Sequence, residues 1–175
     1  MSRKRTVYRS AGYSLVELIV VMAVVALMSL LAAPWLLKVS QRNRLKSAAH
    51  EIQTTILAAR MIAVRRNQAV SVLVTTAAPA EDEHRLETIE PPPPAGTPTP
   101  VPRRLEIPKS TMRFLTLPAG NTITFIGDGR MITFPAPTPA VIVVEGPVGA
   151  ANPNQITIET TNSGRVKIIT PTAWN

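Results

Sequence analysis

Cysteine is absent from the 175-residue chain, which excludes disulfide bonds and thiolate metal sites. Only two histidines are present, His50 and His84, and they lie too far apart in the sequence to suggest a metal centre. Aromatic residues make up 4% of the chain, so a core must rest on Val, Ile, Leu and Ala. The acids and histidines show no spacing typical of a catalytic site or a phosphate-binding loop. We therefore expect neither an enzyme nor a bound cofactor.

The net charge of +8 is distributed unevenly along the chain. Four basic residues lie within the first 12 positions, and residues 38–66 carry seven cations against the single acid Glu51. The rest of the chain holds eight cations and nine acids. The basic character therefore belongs to the N-terminal part, where charges beside a membrane explain it without a nucleic-acid ligand.

Residues 18–37 form a run of twenty residues without a charge, and Lys38 ends it. Such a run is long enough to cross a bilayer, and the basic residues before it predict a cytoplasmic N-terminus. A cleaved secretory signal has a shorter apolar run, and the small residues at 32–33 are followed by Pro34 and bulky Trp35, a poor cleavage site. A plain membrane anchor is a second alternative.

A single carboxylate, Glu17, stands at the head of this run, where residues 12–17 read GYSLVE. A charged side chain costs about 2.5–3.5 kcal/mol at the bilayer centre and less near the surface, so a compensating partner is expected. Cleavage after Gly12 would create an α-amino group on Tyr13, with Glu17 at the fifth position of the new chain. The carboxylate could then pair with the amine of a neighbouring subunit and set the axial stagger of a filament.

Residues 38–67 predict an amphipathic continuation of the helix. Apolar residues recur there at steps of three and four positions, which places one set on a single face: Leu45, Ala49, Ile52, Ile56, Ala59 and Ala63. Asn67 provides a stop, because Asn tolerates the left-handed conformation at a helix end. Pro34 is interpreted either as a local melt or bend that eases filament packing or as a simple interfacial kink.

The residues after the helix predict β-strands joined by tight turns. Strand patterns cover 69–75, 111–117, 121–126, 131–134, 140–145, 155–161 and 165–170. The turn sequences GDGR at 127–130 and NSG at 162–164 predict two hairpins. The expected fold class is α+β, with a long N-terminal helix packed on an antiparallel β-sheet domain.

Residues 79–102 begin with an acidic stretch. Seven of the chain's 17 prolines follow it, all at positions 91–102. Proline favours the polyproline II conformation and does not pair in a central strand. We interpret this segment as a solvent-exposed, proline-rich loop. A PxxP ligand for a partner domain is the alternative, although that motif is common by chance in such a tract.

The N-terminal sequence RSAGYSLVELIVV, at residues 9–21, resembles the class III signal of type IV pilins and type II secretion pseudopilins. The family pattern is Gly, the cut, an aromatic residue that is usually Phe, a short polar residue, two apolar residues and Glu. Tyr13 in place of Phe is a mild departure. The resemblance implies cleavage after Gly12 by an inner-membrane prepilin peptidase, N-methylation of Tyr13, and filament assembly through Glu17.

Three further motifs are similar to the GspH and FimT family of minor pseudopilins and minor pilins. They are LAARMIAVRRNQAV at 57–70, ITFIGDGR at 123–130, and ITI at 156–158 followed by GRVKI at 164–168. The resemblance implies a prepilin leader at 1–12, a transmembrane and filament-core helix at 13–37, an amphipathic helix at 38–67, and a β-rich domain at 68–175.

The resemblance also implies a function for the chain. It would be a minor subunit in or at the tip of a type II secretion pseudopilus or a type IV pilus, helping assembly and protein secretion. Expected partners are prepilin peptidase, other major and minor pseudopilins or pilins, the inner-membrane assembly platform, and the membrane itself through the N-terminal helix. The expected location is the bacterial inner membrane with a periplasmic C-terminal domain, and then a periplasmic or extracellular filament.

DNA binding is the alternative function, because some FimT members bind DNA during uptake with a Gly-Arg-x-Arg motif on the last hairpin. Here residues 164–167 read GRVK, so Arg165 and Lys167 are the candidate DNA contacts. The two cations lie on one face of a predicted strand, where they could contact phosphates. The alternative is that they are charges that prevent an exposed edge strand from pairing with another chain. Arg65 or Arg66 is a candidate contact for an acidic partner, although the helix dipole also favours cations there.

Overall fold

The computed structural model describes residues 14–78, 80–92, 102–132, 139–146 and 154–171. Gly12 and Tyr13, the predicted cleavage site, lie outside these ranges. The chain divides into two compact units, Met1–Leu37 and Lys38–Asn175.

One helix, α1, runs from Leu15 to Arg66 and is continuous through Pro34. Its apolar part is long enough and apolar enough to cross a membrane. From position 38 onward the predicted apolar face is confirmed, since all six residues assigned to it from their spacing are fully buried. Burial of this face, rather than helix propensity, supplies most of the stability of such a helix.

Asn67 ends α1 as predicted, in the left-handed conformation with φ of 50°. The amide of Asn67 donates to the carbonyl of Val64 at 3.3 Å, and that of Gln68 donates to the carbonyl of Ala63 at 3.2 Å. This pair of hydrogen bonds is the Schellman arrangement, which satisfies carbonyls that the last turn leaves open.

Within the described ranges, nine strands follow and form two antiparallel sheets. The first sheet has the order β3-β2-β1-β5-β6 and contains β1 (Val70–Thr75), β2 (Glu83–Ile89), β3 (Arg104–Pro108), β5 (Thr122–Phe125) and β6 (Met131–Ile132). The second sheet has the order β4-β7-β8-β9 and contains β4 (Arg113–Thr116), β7 (Ala140–Glu145), β8 (Gln155–Thr160) and β9 (Val166–Ile169). A short 3-10 turn, Ala119–Asn121, precedes β5.

Alternating side chains from both sheets build one core with α1. In β1 the three valines predicted to share a face, Val70, Val72 and Val74, are all buried. Strands β7 and β8 bury alternate residues in the same way, with a partly buried residue between each pair. Among the described residues, the buried apolar core is aliphatic apart from Phe125, Met112 and Met131, and Phe114 packs against it.

Both predicted hairpins are confirmed. Strand β5 pairs with β6 across residues 127–130, and β8 pairs with β9 across residues 162–164. The predicted α+β fold, a long helix packed on antiparallel sheet, is also confirmed, although the sheet is divided in two.

The interpretation of residues 79–102 as one loop is wrong for Glu83–Ile89, which form β2 between β1 and β3. Charged residues alternate with buried ones along this strand, which obscures its buried face in the sequence. His84, Leu86 and Thr88 are buried, while Glu83, Arg85 and Glu87 alternate with them. Strand β3 was not predicted either. It lies at the edge of its sheet, where its terminal Pro108 is tolerated.

Candidate functional site

The apolar part of α1 exposes every side chain from Leu15 to Leu37. Leu30 is 75% exposed and Trp35 is 68% exposed. The water-exposed surface of a globular protein does not carry such an apolar stretch over six helical turns. A contiguous apolar surface of this kind marks a contact with membrane or protein. This surface is therefore the first part of the candidate site.

Glu17 lies in the first turn of α1 and is the only charged residue of residues 15–37. A carboxylate in the first turn interacts favourably with the helix dipole, by about 0.3–1 kcal/mol at an exposed position. This local gain is smaller than the cost of placing the charge in hydrocarbon. A partner outside its own helix would offset the rest of that cost.

The end of α1 brings together the three motifs that are similar to the GspH and FimT family. Arg60 donates from Nε to the carbonyl oxygen of Gly129 at 2.9 Å and from Nη2 to that of Ser163 at 3.4 Å. The amide of Met131 donates to the carbonyl of Asn162 at 3.0 Å. The helix thus holds the turn of the β5–β6 hairpin against the turn of the β8–β9 hairpin.

Close approach explains why glycine occupies this junction. Gly164 has φ of 77°, and a Cβ there would overlap the carbonyl oxygen of Gly129 and lie 2.7 Å from Nε of Arg60. A Cβ on Gly127 would overlap the side chain of Asn67. The sequence does not reveal these contacts, because they join residues about 60 to 100 positions apart.

Asp128 fixes the shape of the first of these turns. Its Oδ1 accepts from the amide of Arg130 at 2.9 Å, and its Oδ2 accepts from Nε of the same residue at 2.5 Å. The backbone hydrogen bond and then the side-chain one hold the pKa of Asp128 below its ordinary value. This carboxylate is thus engaged within its own turn.

Arg165 and Lys167, the candidate DNA contacts, lie on and beside the edge strand β9, and both are exposed. Lys167 stands opposite Glu159 of β8 in the pairing register. The backbone of Arg165 closes the hairpin, since its carbonyl accepts from the amide of Thr161 at 2.9 Å. The structure therefore places both cations on the surface, with an acid beside one of them.

Arg66 forms an ion pair with Glu90, whose side chain is only 9% exposed. Sequence reasoning treated Arg65 and Arg66 as equivalent, but only Arg66 has an acidic partner among the described residues. No local signal identified Glu90, because it follows a strand that the sequence did not predict.

Two profiles of known protein families match this chain. Residues 48–171 match the family profile of the type II transport protein GspH, and residues 8–33 match the prokaryotic N-terminal methylation motif. A search of curated proteins finds no significant match.

Among solved structures, the chain is similar to the type IV minor pilin FimU of Pseudomonas aeruginosa. One crystal form matches with a TM-score of 0.53 and 19% identity, over 77% of this chain and 93% of that one. A second crystal form gives a TM-score of 0.48 and 18% identity, over 71% and 92% of the two chains. The first match supports the pilin-like α+β fold. With the family profile covering most of its length, the chain belongs to the GspH family of type II secretion pseudopilins.

Proposed function

We propose that this chain is a minor subunit of a type II secretion pseudopilus, cut after Gly12, N-methylated on Tyr13, and assembled through its N-terminal helix. The observation that carries this proposal is the exposed apolar surface of residues 15–37 with one carboxylate at its head. Membrane lipid would cover this surface before assembly, and the helices of neighbouring subunits would cover it in the filament. The methylation-motif match at residues 8–33 supports the processing step.

Glu17 has the chemistry to direct this assembly. Its carboxylate and the α-amino group of a processed Tyr13 carry opposite charges, and in an apolar filament core each would be costly alone. Pairing across two subunits offsets both costs only at one axial offset between them. The pair would therefore select a single register for incoming subunits.

The proposed partners follow from this pathway. Prepilin peptidase cuts the leader, an inner-membrane assembly platform receives the subunit, and other major and minor pseudopilins surround it in the filament. The domain after position 38 would lie in the periplasm, and its contribution would be to filament assembly and protein secretion. A type IV pilus is the alternative filament, since the leader and the fold serve both kinds of machine.

Replacement of Glu17 tests the assembly step. We expect Glu17→Ala to be cut normally but to enter sheared filaments at least about tenfold less than the natural chain, because its neighbour's amine is left unpaired. Glu51→Ala removes a charge from an exposed position of the same helix and serves as the matched control. Equal amounts of Glu17→Ala and natural chain in the filament would exclude the proposed role of this carboxylate.

DNA binding through Arg165 and Lys167 has less support. Both side chains are exposed on one face, but Glu159 opposes Lys167, and the residues after position 66 carry one more acid than base. If DNA were the ligand, binding to a short duplex would weaken steeply with salt and be lost in Arg165→Gln with Lys167→Gln. A gel-shift titration of the full chain in detergent at 50 mM salt would decide this point.

A further inference from the structure

A groove of about 480 Å³ lies beside the last turns of α1. One side is formed by helix residues that include Met61, Arg65 and Arg66, and the other contains Glu90 and Arg103. Glu90 follows β2 and Arg103 precedes β3, so the first sheet supports this second side. The groove thus gathers three guanidinium groups and one carboxylate.

The charges of this groove are unbalanced. Glu90 is already paired with Arg66, whereas Arg65 and Arg103 are exposed and form no ion pair in the described part of the chain. All eleven side-chain carboxylates of the sequence lie within the described ranges, so the remaining residues cannot supply a side-chain carboxylate. Two guanidinium groups are therefore available to carboxylates from another molecule.

An apolar contact accompanies the open cations. Met61 of α1 lines the groove beside Ala58 and Ile62, and it is 66% exposed. Methionine is flexible and polarizable, which suits it to a surface that receives an irregular partner. Guanidinium groups bind carboxylates through two parallel hydrogen bonds. The combination fits a peptide segment that presents acids on either side of an apolar residue.

We propose that this groove docks an acidic segment of another pseudopilin, with its carboxylates on Arg65 and Arg103 and an apolar side chain on Met61. The proposal rests on the function proposed above, since the partner is a subunit of the same filament. Glu90 contributes by holding Arg66 at the groove wall. A nucleic acid fits less well, because its bases would find no aromatic side chain among the groove residues.

Photo-crosslinking in cells tests this docking. The full chain carries p-benzoylphenylalanine at position 61, in cells that assemble the filament, and crosslinked peptides are identified by mass spectrometry. We expect a peptide of another pseudopilin with at least two Asp or Glu residues close to the crosslink. Its yield should fall about tenfold in Arg65→Gln with Arg103→Gln, in line with the loss of two exposed ion pairs.

The control variant, Arg165→Gln with Lys167→Gln, removes the same charge from the edge strand and should leave the crosslink unchanged. A crosslink that persists in the groove variant, maps to a segment without acids, joins nucleic acid, or fails to form would overturn the docking proposal. Cleavage at Gly12 is measured in the same samples. An uncut chain would contradict the proposed function as well, whereas a cut chain without the expected crosslink contradicts the docking alone.

Discussion

His84 is buried between the two sheets, with both ring nitrogens engaged. Nδ1 accepts from the amide of Ala77 at 3.0 Å, and Nε2 lies 3.1 Å from the carbonyl oxygen of Met112, so Nε2 carries the proton in the neutral ring. The ring of Phe114 packs edge-on, with centroids 5.0 Å apart. Protonation of Nδ1 would replace an acceptor with a second donor facing the Ala77 amide.

The stability of the domain should therefore fall in mild acid. Burial, opposed in part by the Met112 hydrogen bond and assisted by Lys109, holds the pKa of His84 below its ordinary value of 6.5. Between the lowered pKa and 6.5 the unfolded chain binds more protons, so the contribution of His84 is complete above pH 6.5 and is lost as pH falls towards the lowered value.

Urea unfolding of the full chain in detergent, followed by circular dichroism between pH 7.5 and 5, checks this expectation. We expect the midpoint to drop with pH in the natural chain and to stay flatter in His84→Gln. His50→Gln, which replaces the other histidine at an exposed position of α1, is the matched control. Asp128 and Glu145, whose pKa values are lowered, titrate below this range. An unchanged slope in His84→Gln would contradict the assignment.

Substitution of two glycines, one with space for a Cβ and one without, distinguishes the cost of backbone strain from the cost of steric overlap. Gly120 and Gly164 have similar φ values, 65° and 77°, but a Cβ on Gly120 would meet nothing within 4 Å. We expect Gly120→Ala to cost about 1–2 kcal/mol of unfolding free energy, the penalty of the left-handed conformation alone. Gly164→Ala adds a clash with Gly129 and Arg60 and should cost at least about 3 kcal/mol. Equal losses in the two variants, measured by urea unfolding, would contradict the close packing at this junction.

At the scale of elements, Arg60 joins α1 to one turn from each sheet. We expect Arg60→Met, which keeps the aliphatic chain but removes the donors, to lower the free energy of unfolding by about 1–3 kcal/mol. Arg65→Met, one turn along with no ion pair in the described part of the chain, should change it by less than about 0.5 kcal/mol. The two variants are compared by urea unfolding, and a loss as large in Arg65→Met would show that helix charge, not the junction, matters.

Local pattern was enough to predict the helix and both hairpins. The steps of three and four in residues 45–63, the stop at Asn67 and the two glycine turns each express a preference within a few residues. Strands β2 and β3 could not be predicted from local pattern, because they form by pairing with β1 and with each other. Charged residues on their outer side, such as the ion pair of Arg104 with Glu87, also obscure the strand pattern. The seven prolines at 91–102, between the two strands, strengthened the wrong interpretation.

The candidate site likewise has a part that local sequence predicts and a part that only the fold reveals. Glu17 and the cleavage motif could be identified from contiguous residues, whereas the Arg60 junction and the pair of Arg66 with Glu90 required the fold. The roles of Gly12, Tyr13 and Glu17 remain predictions, because their partners belong to other molecules.

At the scale of the whole molecule, the chain consists of an exposed apolar helix and a domain built on the second half of that helix. Its membership of the pseudopilin family makes it a structural subunit and not an enzyme. Processing connects the two parts to function, since only a cut chain has the amine that Glu17 is proposed to meet. The N-terminal helix and the methylation motif are consistent with an inner-membrane prepilin whose domain is periplasmic.

The most direct measurement is the intact mass and N-terminal sequence of the chain purified from membranes of cells with and without prepilin peptidase. We predict a mature chain that begins at Tyr13 and carries one added methyl group when the peptidase is present, and the uncut chain when it is absent. A chain that keeps residues 1–12 in both strains, or one cut near Ala33, would contradict the pseudopilin account.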